Sequence, residues 1–312
     1  MLKKLAKGFV GLSVVGIGGA GFVYQRRLKE NRSITAEEYN AAQNQEELQD
    51  AFNKIARKDR DMPEILFYRY TTCPFCGKVG AFMDYYGIPH TNVEVEPMFK
   101  KEIKYSDYKK VPQLRFNVMG HHGPYLVDSD LIIEQLARLV GAGDQLKDPK
   151  VNEWRGWARD SLVRHLVLNI NTSLTEAWKG YDYIDSFDTI PYSNKVFLKV
   201  MGAPVMWLVA KYKTRPALLK AGELSESDDV REVLHRQVDR FVAEGLAGAT
   251  PSKPFHGGAR PDLADLDVYG VFQSVRGHRV YDDLLRSTKI GDWMAKMDEA
   301  TKKPKYQLQT TA

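Results

Sequence analysis

The only two cysteines among 312 residues stand three positions apart, in Cys73-Pro74-Phe75-Cys76. A Cys-x-x-Cys between a strand and a helix is a redox or thiol-binding pattern. At a helix start the unpaired amides and the positive end of the helix dipole favour a thiolate, so Cys73 should titrate below a free thiol. Cys76, one turn further in, would be shielded and placed to resolve a mixed disulfide formed at Cys73. Pro74 sits where a missing N–H costs nothing. Other uses of the pair fit less well. Zinc needs about four ligands in a closed tetrahedron, and His90, His121 and His122 do not stand at any usual ligand spacing. A disulfide across two intervening residues constrains almost no unfolded-state entropy. With no further cysteine a disulfide scaffold is excluded, and a reducing compartment is implied.

The elements that must position this pair follow from the pattern around it. Ile65–Tyr70 is an apolar run that predicts a buried strand, Thr71-Thr72 the turn, and Gly77–Tyr86 the helix that opens with the motif. Further strands are predicted over His90–Val95, Gln113–Val118 and Tyr125–Val127, and helices over Met98–Lys104 and Asp130–Val140. Such alternation with short loops gives a small α/β sheet whose first two strands, joined by a crossover, run parallel. Gly120-His121-His122-Gly123 predicts a hairpin turn between the last two strands.

After Gly141 the strand signals stop. Lys150–Asn169, Ser193–Tyr212, Ala217–Leu246, Asp262–Arg276 and Ile290–Lys302 all read as helices, which makes an all-α second domain. Val196–Tyr212 is apolar enough to raise a membrane span, but Lys199 and Pro204 lie inside it, and the expectation is a buried core helix. In Pro261-Asp262-Leu263-Ala264-Asp265-Leu266, Asp262 caps a helix, Asp265 answers it, and Pro261 faces Leu266 as a staple.

The N-terminus reads differently from the rest. Residues 1–30 carry six cations against Glu30, a net +5, so residues 31–312 net to zero. That argues against a nucleic-acid footprint on the folded part, and the local cluster Lys100, Lys101, Lys104, Lys109 and Lys110 reads as a solvated face. Gly8–Tyr24 is free of charge and as a helix would just about span a bilayer. The expectation is a retained membrane anchor, with a mitochondrial presequence as the rival, and a mitochondrial or Golgi membrane as the location. Thr35-Ala36-Glu37-Glu38 is a capping box opening a helix to about Lys58, with Leu48, Phe52 and Ile55 as its narrow apolar stripe. It reads as a spacer, lightly docked. The expected organisation is an anchor at 1–30, a helical spacer at 31–63, an α/β domain at 64–145 and an all-α domain at 150–303.

The strand order, Cys-Pro-Phe-Cys after the first strand, and Lys110-Val111-Pro112 before the third resemble the thioredoxin fold in its glutaredoxin and glutathione-transferase form. Several stretches narrow the match. Tyr70 to Val79, Glu102-Ile103-Lys104-Tyr105-Ser106, Tyr108 to Pro112 and Pro261 to Gly270 are similar to the membrane-associated prostaglandin E synthase type 2 family, across nearly all of 64–300. The connection near Gly141–Asn152 looks shorter than in vertebrate members, which leaves inter-domain and dimer contacts open. The resemblance implies isomerisation of prostaglandin H2, a lipid endoperoxide, to prostaglandin E2, with Cys73 as the thiolate. It places Tyr70 beside the thiol, makes Pro112 a cis-proline facing it, and gives Phe75 as an apolar pocket wall. Glutathione would pair with the backbone of Val111 as an added strand, and Asp128 and Ser129 would take its γ-glutamyl end. The family also binds haem through the sulfur of glutathione, and a homodimer is an open expectation. Two readings stay beside the isomerase: a thiol–disulfide oxidoreductase using Cys76 as the resolving thiol, and a haem- and glutathione-binding protein whose endoperoxide activity is incidental.

Overall fold

The computed structural model describes residues 45–57, 62–97, 99–118, 120–188 and 190–302. The expected anchor at 1–30 and the start of the spacer helix lie outside them. The helix α1 (Gln45–Arg57) turns its stripe inward, and Leu48, Ala51, Phe52 and Ile55 are all buried. Phe52 meets Phe116 edge to face, with ring centroids 5.6 Å apart. This helix is part of the main core and not a lightly docked spacer, because a stripe of four buried side chains excludes water from the sheet beneath it.

Four strands, β1 (Glu64–Arg69), β2 (Thr91–Glu94), β3 (Gln113–Val118) and β4 (His121–Val127), form one sheet in the order β2-β1-β3-β4. β1 and β2 are parallel, with Leu66 opposite Thr91, and the other pairs are antiparallel, with Phe67 opposite Leu114. The crossover between β1 and β2 is α2 (Pro74–Tyr86), which ends at Gly87 with φ 63°, a conformation that costs a glycine nothing. The helix predicted over Met98–Lys104 is a single 3₁₀ turn, Lys101–Ile103, whose entry residue Lys100 takes φ 50°. A residue held left-handed cannot continue a helix backwards. After β4 comes α3 (Ser129–Leu139).

The second domain is helical throughout. α4 (Pro149–Trp157) passes through a wider turn at Ala158–Leu162 into α5 (Val163–Ile170), followed by α6 (Leu174–Lys179) and α7 (Tyr192–Val209). α8 (Arg215–Lys220) and α9 (Val230–Arg240) replace the single helix expected over Ala217–Leu246. Gly222, at φ 71°, ends the first piece, and Asp229 caps the second by accepting from Arg231 and Glu232. α10 (Leu263–Gln273), α11 (Arg279–Ser287) and α12 (Gly291–Lys302) complete it. The Asp262–Asp265 capping box is formed. The expected buried helix over Val196–Tyr212 is corrected: in α7 only Leu198 and Ala203 are buried. None of the described helices is long and apolar enough to cross a membrane.

α2 and α10 join the two domains. They cross at Gly77 and Gly270, where a Cβ on Gly270 would lie 2.5 Å from the Gly77 carbonyl. Beside the crossing Lys78 is fully buried, its ammonium 2.7 Å from Asp130 and 3.2 Å from Asp267. Arg155 donates to Asp267 at 3.0 Å and Arg159 to Asp130 at 3.1 Å, so every buried charge here has a partner. Burial would raise the Asp130 carboxyl, but Lys78, Arg159 and Arg155 hold it down to about 2. One continuous core runs through both domains.

Candidate active site

The site is built on the end of β1. Glu94, at the end of the neighbouring β2, accepts from the Thr71 amide at 2.8 Å and from the Thr71 hydroxyl at 3.0 Å, which fixes the turn before the thiol. Cys73 is the N-cap of α2, and Pro74 follows at the first helical position. The Cys73 amide donates back to Tyr70 at 3.1 Å, and its carbonyl accepts the first helical bond from Gly77 at 2.9 Å. The two sulfurs differ as their positions require. Cys73 is half-buried, whereas Cys76 is fully buried.

Their chemistry separates accordingly. The Cys76 thiol donates to Cys73 and, against the effect of burial, the Cys76 and Phe75 amides and the Arg69 charge help to lower the Cys73 pKa. Burial first, then Cys73, push the Cys76 thiol well up. One sulfur is therefore the ready thiolate and the other a held proton. Alkylation of Cys73, followed against pH by peptide mass analysis, should show a midpoint below the free-thiol value of about 8.5. A midpoint at or above that value would contradict the helix-start assignment.

The loop before β3 faces the thiol. The Val111-Pro112 bond is cis, and the fully buried Gln113 amide donates to the Tyr108 and Lys110 carbonyls at 2.5 and 2.8 Å, locking that loop. At the start of α3, Asp128 takes φ 68° and caps the helix by accepting from Asp130 at 3.0 Å, while Ser129 is buried. Phe75 packs half-buried against the core. The expected residues Tyr70, Cys73, Phe75, Cys76, Val111, Pro112, Asp128 and Ser129 thus all sit on the ends of β1, β3 and β4 and the starts of α2 and α3.

Two further phenols lie near the thiol, Tyr108, which opens one of the stretches that carry the family resemblance, and Tyr183, which no motif marks. Tyr108 donates to the Asp128 carboxylate, and burial, then Asp128 and Cys73, raise its pKa. Tyr183 comes from the second domain, on the short turn Asp182–Ser186, and shares a hydrogen bond with the Thr72 side chain. Burial, then Tyr183 and the two cysteines, push Tyr70 well above its ordinary value. Tyr70, Tyr108 and Tyr183 thus all lie within electrostatic reach of Cys73, their pKa values raised chiefly by burial while that of Cys73 is lowered. The hairpin turn expected over Gly120–Gly123 is corrected, because His121 and His122 open β4 paired with Val118 and Asn117, at the far end of the β3–β4 ladder from Gln113 and Val127, about 17 Å away at about 3.3 Å per residue. His122 is exposed and pairs with Asn117 at 3.2 Å, away from the thiol.

A β2-β1-β3-β4 sheet with a cis-proline before β3 and a thiol at the start of the first helix after β1, followed by a helical domain, defines a glutathione-transferase-like protein with a thioredoxin-fold N-terminal domain. Residues 67–143 match the family model described as glutathione S-transferase, N-terminal domain. The chain is 32% identical to prostaglandin E synthase 2 of Danio rerio, across 79% of its own length and 75% of the relative's. It is 31% identical to prostaglandin E synthase 2 of Mus musculus, across 76% and 70%. Among solved structures, glutathione transferase GSTFuA3 from Phanerochaete chrysosporium is 15% identical, with a TM-score of 0.49 over 76% of this chain and 97% of that one. The chain belongs to the prostaglandin E synthase 2 family.

Proposed function

We propose that the protein isomerises a prostaglandin endoperoxide to the hydroxy-ketone, prostaglandin H2 to prostaglandin E2, with Cys73 as the reacting thiolate and glutathione bound beside it. The observation that carries this reading is a partly exposed thiol at a helix N-cap, its pKa lowered by the Cys76 hydrogen bond, with the Tyr70, Tyr108 and Tyr183 phenols near it. The Cys73 thiolate attacks one peroxide oxygen, so an S–O bond forms and the O–O bond breaks. The electron pair goes to the other oxygen, which takes a proton from a phenol, Tyr70 or Tyr183 being placed to give it. The carbon bearing the sulfur-bound oxygen then loses its proton, which restores the phenol. Its C–H electrons form the carbonyl, and the S–O pair returns to Cys73 as thiolate. Nothing is oxidised or reduced overall. The test is incubation of the protein with prostaglandin H2 and identification of the product. A product no different from that of spontaneous breakdown would overturn the reading.

The residues around the cis-proline suit glutathione. Val111 presents its backbone ahead of Pro112, and Asp128 and Ser129 lie at a helix start. When bound, glutathione supplies a second thiol beside Cys73. Asp128→Ala together with Ser129→Ala should weaken its binding at least tenfold by calorimetry, since a hydrogen bond to a charged group is worth roughly 1.5–3 kcal/mol. Unchanged affinity would place the peptide elsewhere. None of the described residues named at the site is a histidine; if haem binds through the glutathione sulfur, as the resemblance implies, its absorbance band should vanish when glutathione is removed.

The hydrogen bond between the two cysteine side chains favours a second reading, a thiol–disulfide oxidoreductase. Cys76→Ser separates the two. It keeps a hydroxyl donor to Cys73 and removes the resolving thiol, so dithiol reductase turnover should disappear while isomerisation persists. We also assign residues 1–30 as a membrane anchor, on their uncharged run and their +5 net charge. Their deletion should release the protein from membranes on carbonate washing.

A further inference from the structure

Ten of the thirteen large apolar side chains left exposed among the described residues lie on α6, α7 and the turn after α7. Val196, Phe197, Val200, Met201, Val205 and Leu208 recur at spacings of three and four, which puts them on one face of the helix. Tyr192 and Tyr212, 81% and 66% exposed, stand at its two ends. The opposite side of α7 is fixed to the protein. Lys199 donates to Asp182 at 2.9 Å and Asp185 at 2.6 Å, and Gly202 lets the Tyr181 ring so close that a Cβ would lie 2.5 Å from it. The apolar face is thus presented outward by a rigid mount.

The cations gather toward the C-terminal end of α7, whereas Asp182, Asp185 and Asp188 precede its N-terminal end. Of the six cations in residues 189–222, Lys199 is paired with Asp182 and Asp185 and Arg215 with Glu226, which leaves Lys195, Lys211, Lys213 and Lys220. Lys211 lies over the Trp207 and Tyr212 rings at 5.2 and 5.3 Å, and Lys213 and Lys220 make no ion pair with any described residue. A second copy docked about a two-fold axis near Lys211 and Lys213 would set these lysines against themselves. An anionic lipid surface complements it, because aromatic ends, an apolar stripe and flanking lysines are what an in-plane interfacial helix requires. No described helix is apolar enough to span, which fits a helix lying in the surface.

We propose that the α6–α7 face docks in the plane of an anionic lipid surface. This contact is separate from residues 1–30 and does not depend on the reaction assigned to Cys73. The turn Asp182–Ser186 between α6 and α7 carries Tyr183, which reaches Thr72 beside Cys73, so docking would set the thiol-side turn at the lipid boundary.

The test uses the full chain on phosphatidylcholine vesicles, with and without phosphatidylserine, carrying a trace of photoactivatable phospholipid. Peptides from 192–213 should take up label, more strongly with phosphatidylserine. Lys213→Gln and Lys220→Gln should each lower that labelling roughly fivefold. Met201→Asp with Val205→Asp alters only exposed side chains, and should reduce label on this segment to background with an unchanged circular-dichroism spectrum. Absence of label on 192–213 in the natural chain would overturn the proposal, as would label surviving in the double variant. Cross-links between copies through this segment would assign the face to a second subunit instead.

Discussion

Cys73→Ser is expected to abolish endoperoxide isomerisation, a loss of at least about a thousandfold in kcat/KM, while the fold and its stability stay within about 0.5 kcal/mol. The two halves of that expectation have separate causes. A serine hydroxyl at the same N-cap is not ionised at neutral pH, so none of the interactions that lower the thiol pKa produce a nucleophile from it. Structurally the exchange is mild, because Cys73 is half-buried and serine is itself a favoured N-cap. Product identification and thermal melting on the same sample check both. An active, folded variant would remove the thiolate from the mechanism.

Gly270→Ala should have the largest effect on stability. Its new Cβ would stand 2.5 Å from the Gly77 carbonyl and from the Lys78 backbone, and backbone cannot rotate away as a side chain can. α2 and α10 would have to separate, which opens the seam that joins the domains and loosens the buried Lys78–Asp130 and Lys78–Asp267 pairs. A cost of about 3 kcal/mol is expected, at the upper end for overpacking. Thermal melting should fall by roughly 5–10 °C, with loss of Cys73 reactivity because α2 carries the thiol. A variant that melts like the natural chain would mean that the crossing is looser than the glycines imply.

The N-terminal domain was legible because its signals are local. Apolar runs, the Cys-x-x-Cys and the X-Pro before β3 each mark one element, and Gln113–Val118 is a strand over the very residues expected. The site residues on those elements followed from the motif and the family resemblance. Tyr183 was not legible, since nothing in Tyr181-Asp182-Tyr183 signals that the turn will fold back over Thr72. The exposure of α7 was misread for a related reason. Apolar content says that a helix wants cover, but whether the protein supplies it is settled by tertiary packing alone. The break between α8 and α9 has local signals in Gly222 and the Ser- and Asp-rich Ser225–Asp229, where a positive-φ glycine ends one helix and a capping aspartate opens the next.

Asp128 also bears on how this site was selected. Its φ of 68° is a conformation that glycine would adopt freely and that costs another residue about 1–3 kcal/mol. Glycine there would keep most of the cap's worth, a few tenths of a kcal/mol aside. A carboxylate persists at a position where the backbone would be more comfortable without a side chain. The chain accordingly gives up stability to keep a charge beside Tyr108 and the start of α3, and substitutions chosen only to raise its melting temperature would remove that charge first.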